Sequence, residues 1–199
     1  MSDFRVCVLS AAYDDVKKLE YEVFVRAGYI EPNEHEEVLE NGKYCDSRFL
    51  VVVDEARKRV AGSLRVVLDK DSSINELSIP ALSSFEIWPW MRRQIKRLSQ
   101  DKVAQIGTMV IHESARGGKV LGMLIRKLVE LYFQEGFRYG VSTIDERFYK
   151  VLVAKGYPIR QIGDKKFYMG SYTVPVMFDA LELSEAHRPA AALAVSMAS

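Results

Sequence analysis

The sequence predicts an α/β protein built on a mixed, partly parallel central sheet flanked by helices. Three observations predict it. Two β-branched runs joined by a charged connector, Phe49–Val53 and Val60–Leu68, read as an antiparallel hairpin. A strand, a long amphipathic helix and another strand follow one another between Val103 and Thr143, the pattern of a βαβ unit. Helical and strand periodicities alternate along the chain instead of segregating into halves.

In chain order, Phe4, Val6 and Val8 alternate with Arg5, Cys7 and Leu9 and predict a first strand. From about Ala12 to Ala27, Val16, Leu19, Val23 and Phe24 recur at helical spacing, and Gly28 supplies a stop. Glu31 to Asp46 is acidic and interrupted by Pro32 and Gly42, so it reads as loop with room for a short helix. Residues 70–84 are polar and loop-like, and Ile87-Trp88-Pro89-Trp90 opens a helix over Met91–Leu98. Val103–Ile111 is the central strand. Leu121, Leu124, Ile125, Leu128, Val129 and Tyr132 mark the long helix, which ends near Gly136. A strand at Tyr139–Thr143 and a helix at Ile144–Ala154 come next, then strands near Ile159–Ile162 and Phe167–Val174. Residues 1–182 are expected to form a single domain, with 183–199 as a frayed, Ala-rich tail.

A chain of 199 residues with 48% hydrophobic content fits one domain with a sizeable core. Lys+Arg (28) and Asp+Glu (27) nearly cancel, which gives no ground for nucleic acid as the main partner. Cys7 and Cys45 form no C-x-x-C, and His35, His112 and His187 lie at no metal-ligand spacing. Neither a disulfide framework nor a metal site is expected. The first residues lack the basic start and apolar run of a signal peptide, and no apolar stretch reaches the ~18–20 residues of a membrane span. A cytoplasmic protein without a membrane span is the expectation.

The segment that carries chemistry runs from Gln105 to Gly122, where a strand enters a Gly-rich, basic turn that opens the long helix. The first amides of a helix lack internal partners, and the dipole there favours negative charge. Glycines let backbone approach a phosphate, and Arg116 and Lys119 add charge beside Gly117 and Gly118. The stretch is neither G-x-x-x-x-G-K-[ST] nor G-x-G-x-x-G. Spacing alone leaves a plain glycine turn with solvated cations equally open.

Arg116-Gly117-Gly118-Lys119-Val120-Leu121-Gly122 resembles the acyl-donor motif of GNAT-type acyltransferases, roughly Gln/Arg-x-x-Gly-x-Gly/Ala, at one residue greater length. The resemblance implies a GNAT-like fold and no permanently bound cofactor. Its co-substrate would be an acyl-phosphopantetheine, on an acyl carrier protein or on coenzyme A. In that reading Met109, Val110 and Ile111 offer backbone groups to the pantetheine arm and the turn holds the phosphate. Leu19-Glu20-Tyr21-Glu22-Val23-Phe24, Gly28-Tyr29, Asp46, Gly62-Ser63-Leu64-Arg65-Val66-Val67 and Phe85 are similar to segments of the acyl-homoserine lactone synthases. The chain departs from them at Glu20 (Arg there), Tyr29 (Trp), Gln105 (Glu) and Thr108 (Arg), which removes their S-adenosylmethionine-side residues and candidate base. Val23 to Pro32 and Gly62 to Val67 more closely resemble the long-chain N-acyl amino acid synthases of soil bacteria, which acylate an amino acid such as tyrosine.

The resemblance assigns roles. A backbone N–H of Met109 or Val110 polarises the thioester carbonyl, and Gln105 positions a water, since an amide cannot act as a base. Glu22, Glu86, Glu113 and His112 are open as bases, though Glu113 also fits a first-turn charge and His112 a satisfied strand end. Arg65, on an otherwise apolar strand, is either an outward residue or part of the acceptor site with Asp46, where it binds the acceptor carboxylate or orders Asp46. Arg92, Arg93, Lys96 and Arg97, with Lys119, Arg126 and Lys127, offer a basic surface for an acidic carrier protein or are simply solvated. Trp88 and Trp90, with Phe85 and Ile87, line an acyl tunnel or belong to the core. The alternatives to a carrier-protein-dependent N-acyl amino acid synthase are a coenzyme A-dependent enzyme acting on another amine and a non-catalytic acyl-binding module.

Overall fold

A computed structural model describes residues 3–10, 13–38, 47–68, 83–98 and 102–186. Along the chain run β1 (Phe4–Leu9), α1 (Asp14–Ala27), β2 (Ser47–Asp54), β3 (Arg59–Val67), α2 (Pro89–Arg97) and β4 (Lys102–Ile111). A 3-10 turn (Glu113–Ala115) leads into α3 (Lys119–Glu135), β5 (Phe137–Asp145) and α4 (Glu146–Ala154). The chain closes with β6 (Ile159–Gln161), β7 (Lys166–Tyr168), β8 (Ser171–Asp179) and α5 (Ala180–Ala186). Asp46, Cys45 and residues 187–199 of the expected tail lie outside the described residues, as does most of the expected 70–84 loop.

The strands form one sheet in the order β1-β2-β3-β4-β5-β8-β6, with β7 paired to β8. β4 and β5 run parallel, and the other neighbours run antiparallel. Consecutive strand residues point to opposite faces. Leu50, Val51 and Val52 are each fully buried, so both faces of β2 are covered. On one face, α3 and α5 pack over Leu50, Val52, Leu64, Val66, Ala104 and Ile106. On the other, α1 packs over Val51, Val60 and Val110, and α2 over Val103, Val141 and Met177.

Helix ends follow their chemistry. Asp14 and Asp15 open α1 and Arg26 closes it, each complementing the helix dipole. Gly28 turns into the left-handed region at φ 71° and bonds back to Phe24 and Val25 carbonyls. α3 runs between two left-handed glycines, Gly118 and Gly136. Inside it Tyr132 is fully buried, its hydroxyl donating to the Ala104 carbonyl of β4 at 3.2 Å. Burial holds that hydroxyl far above the usual tyrosine range.

Three boundaries differ from the sequence reading. The expected strand Phe167–Val174 is a tight hairpin, β7 and β8, folded at Met169-Gly170 with Gly170 at φ 77°. β5 extends from Phe137 to Asp145, and α4 begins only at Glu146 because Asp145 caps it. A helix continues to Ala186 where fraying was expected from residue 183, because Ala180 and Leu183 are buried against the α3 face.

One feature shapes everything near the cleft. β4 and β5 pair from Lys102↔Phe137 to Gln105↔Val141 and then part. β4 continues beside β3 to Ile111, and β5 beside β8 to Asp145. The Ser142 hydroxyl donates to the Ile106 carbonyl at 3.1 Å just past the last pair, and a wedge opens beyond it.

The turn between β7 and β8 props one wall of that wedge. A Cβ on Gly170 would meet the Gly28 carbonyl at 2.3 Å and the Tyr29 Cα at 2.9 Å, both backbone. Gly170→Ala is therefore expected to cost about 1–3 kcal/mol, read as a lower urea midpoint at unchanged m value. An unchanged midpoint would show that this contact does not hold Tyr29.

Candidate active site

A cavity of about 950 Å³ fills the wedge, near the top of the range of about 300–1,000 Å³ common for small-molecule sites. Its floor is β4 from Gln105 to Ile111, facing Ser142 to Asp145 of β5 across the gap. The ladder with β3 decides which backbone groups of β4 reach it. The His112 amide donates to the Ala61 carbonyl at 2.9 Å. By antiparallel alternation, Val110 opposite Ser63 then spends its N–H and C=O on β3, while Met109 and Ile111 turn theirs to the cavity. Between Leu64 and Val66 the register slips, so Gly107 and Thr108 together oppose Arg65. That bulge brings the Ile106 carbonyl to the same edge as Met109.

At the mouth, the 3-10 turn delivers Arg116, Gly117 and Gly118 to the rim. Gly118 sits at φ 98°, a conformation that needs glycine, and caps α3. The amides of Val120 and Leu121 belong to the first helical turn and have no carbonyl to bond within it. The Gly122 amide does have one, the Gly118 carbonyl at 2.9 Å.

The donor residues expected from sequence are therefore split. Met109, Val110, Ile111, Arg116, Gly117, Gly118 and Leu121 line the cavity; Lys119, Val120 and Gly122 do not. Val120 is fully buried in the core, and the Lys119 ammonium lies over the Phe4 ring at 5.1 Å. The second cation at the rim is Lys155, just past α4, whose Nζ lies 4.0 Å from where a Gly118 Cβ would stand. Sequence reasoning missed Lys155 because only the fold brings it beside the turn.

On the α1 face, Arg65 and Gln105 are buried and line the cavity. The Arg65 Nε donates to the Ser47 hydroxyl at 3.2 Å, its guanidinium lies over Phe49, and its stem packs on Gly107. The outward alternative for Arg65 is thus ruled out. Across the cavity, the Tyr29 hydroxyl lies near Asp145 and Ser171. Burial, then the Asp145 carboxylate, raises the Tyr29 hydroxyl above the ordinary tyrosine value. Asp145 also accepts the Arg147 and Phe148 amides at 2.8 and 3.2 Å.

None of the four open bases lines the cavity. His112 accepts the Ser114 amide and shares a cluster with Arg59. Glu113 pairs with Arg26, whose hydrogen bond lowers its pKa. Glu22 and Glu86 are exposed. Phe85 and Ile87 are core residues, Trp88 donates to Asp164 at 2.9 Å, and Trp90 stacks on Trp88 at the surface, so the aromatic tunnel does not form around them. The expected basic surface is divided by the sheet. Arg92, Arg93, Lys96 and Arg97 are exposed on α2, whereas Lys119, Arg126 and Lys127 belong to α3 on the opposite face. No cluster of metal-ligating side chains occurs among the described residues, and no described helix is long and apolar enough to cross a membrane.

A mixed sheet with one parallel pair, opened beside a glycine-rich helix start, is a GNAT-like fold. Residues 15–181 match the family model described as N-acyl amino acid synthase FeeM, and the chain belongs to that family, which makes it an acyltransferase. A search of curated proteins finds no significant match. Among solved structures, the fold is similar to that of BjaI, a CoA-dependent acyl-homoserine lactone synthase solved with SAM and isopentyl-CoA. There the TM-score is 0.67 at 15% identity, covering 93% of this chain and 88% of that one. FeeM, an N-acyl amino acid synthase from uncultured soil microbes, superposes at TM-score 0.61 and 12% identity over 92% and 94%. A putative N-acetyltransferase from Lactobacillus plantarum does so at 0.56 and 15% over 89% and 98%.

The raised tyrosines give a pH test. Tyr29 and Tyr132 ionise at lower pH in the unfolded chain than in the folded one. Their contribution is complete below the unfolded value of about 10 and is lost as pH rises past it. The melting temperature is expected to fall steeply above about pH 10, and less steeply in Tyr29→Phe. Equal slopes in the two proteins would contradict the half-buried placement of Tyr29 beside Asp145.

Proposed function

We propose that the chain moves a long-chain fatty acyl group from the phosphopantetheine thioester of an acyl carrier protein to the amino group of an amino acid, with tyrosine as the favoured acceptor, in the cytoplasm. One observation carries the reading: a strand edge with unshared backbone groups at Met109 and Ile111 ends beside a cationic helix start. An extended pantetheine arm pairs along that edge as an added strand. Its phosphate meets Arg116, Gly117, Gly118, Lys155 and the first amides of α3.

In this reading the Met109 N–H binds the thioester oxygen as charge develops on it, an interaction worth about 3–4 kcal/mol. Val110 is corrected from that role, because its amide faces β3. Gln105 holds a water near the reacting carbon. Arg65 takes the acceptor carboxylate; Asp46, its expected companion, lies outside the described residues. Val23, Phe24, Ala27, Val38 and Val67 give the cavity an apolar wall. Each methylene buried there adds about 0.8 kcal/mol, which supports a long acyl chain. The exposed basic face of α2 favours an acidic carrier protein over coenzyme A, which offers the same arm.

Expression in bacteria followed by mass spectrometry of lipid extracts is expected to show masses of fatty acid plus one amino acid, absent from the empty-vector control. With purified protein, Arg116→Ala and Lys155→Ala are each expected to raise the donor KM about tenfold and leave the acceptor KM unchanged. Lys119→Ala is expected to have a smaller effect than Lys155→Ala. Absence of any new amide with both donors would sink the proposal, and unchanged donor KM in both variants would remove the phosphate cradle from it.

A further inference from the structure

Inside the cationic rim of Arg116 and Lys155, the cavity places two opposite charges on its two walls, Arg65 and Asp145, and only Arg65 has a role so far. Arg65 lies on β3, opposite the bulge at Gly107 and Thr108. Asp145 ends β5, on the far side of the β4–β5 gap. Gln105 pairs with Val141, and the bulge takes up one residue of β4, so Asp145, four residues further along β5, stands about level with Val110, next to Met109. The alternation that puts Val141 under α2 also puts Thr143 and Asp145 on that face, the face from which Arg65 and Gln105 enter the cavity. β3 and β5 are two strand spacings apart, roughly 10 Å, at the closed end of the wedge, and Asp145 lies past that end, where β4 and β5 have parted.

We infer that Asp145 is the group that receives the acceptor's ammonium, with Arg65 taking its carboxylate. The inference rests on the N-acyl amino acid reading above and deepens it, because a zwitterion is the acceptor class that two such walls select. The carboxylate is well anchored. It takes two α4 amides on Oδ1 at the start of that helix. The Tyr29 hydroxyl lies near the carboxylate and lines the same cavity. Tyr29 is in turn fixed by the Gly170 backbone and the Phe24 ring. Arg147 lies on the same side, so the field at Asp145 is mixed rather than purely acidic.

The reaction balances without a further reagent. The acceptor arrives as an ammonium and gives one proton to water in the open cavity. Its nitrogen forms a bond to the thioester carbon while the carbon–sulfur bond breaks. The thiolate takes up a proton, so the products are an amide, a thiol and one net proton. Asp145 is a binding residue in this scheme; it sets where the nitrogen stands relative to the carbonyl over Met109.

The test is Asp145→Asn. Asparagine caps helices as well as aspartate does, so α4 and the fold are retained while the charge is lost. Wild type and variant would be supplied with an acyl carrier protein thioester. The acceptor would be the amino acid that wild type acylates from an equimolar mixture of the twenty, and then its decarboxylated amine. The variant is expected to raise the KM for both acceptors by about tenfold, with donor KM and melting temperature near wild type. Arg65→Gln is expected to penalise the amino acid and spare the amine. An acceptor KM within twofold of wild type in Asp145→Asn would overturn the inference while leaving the synthase reading intact. Failure of the wild type to acylate any amino acid would overturn the synthase reading itself.

Discussion

Pairing between β4 and β5 lasts for four residues and then stops, and the candidate site is what that interruption leaves behind. Parallel strands normally share their full backbone inventory. Here each keeps its outer partner, β3 or β8, and gives up the inner one. The result is a strand edge inside a folded domain, lined by Met109 and Ile111 on one side and Thr143 to Asp145 on the other. An edge of this kind is a template for one more extended chain. Removing it by completing the ladder would close the cavity and bury the helix start that holds Arg116 to Gly118.

What keeps the wedge from collapsing is packing on both faces. α3 is anchored to β4 through Tyr132 and the Ala104 carbonyl, below the point where the strands part. Val120 and Leu124 fill the space above Gly62, where a Cβ would meet Val120 at 2.7 Å. α1 covers the other face, and its C-terminal turn at Gly28-Tyr29 rests on the β7–β8 hairpin. A turn remote in sequence thereby sets the position of a cavity hydroxyl.

The architecture was legible where periodicity was strong. The hairpin β2–β3, the central strand and α3 lie close to where the sequence put them, because their apolar spacing is unbroken and their glycine stops are real. The boundary at Asp145 was missed because Ile144 and Phe148 are both apolar at helical spacing, so the helix was begun too early. The site was half legible. A basic glycine turn after a strand is visible in one dimension, and so is an Arg in an apolar strand. The choice between Met109 and Val110 depends on ladder parity, which needs the register of β3. The exchange of Lys119 for Lys155 depends on which way the first residue of a helix points, and the approach of Tyr29 to Asp145 joins residues more than a hundred positions apart.

The most direct test is amide hydrogen exchange with and without a non-hydrolysable acyl-pantetheine phosphate. The account predicts that the ligand slows exchange at Met109 and Ile111, along the open edge, and at the first amides of α3. Val110, already bonded to β3, should change little. Protection that bypasses β4, or that falls on Val110 and spares Met109, would contradict it.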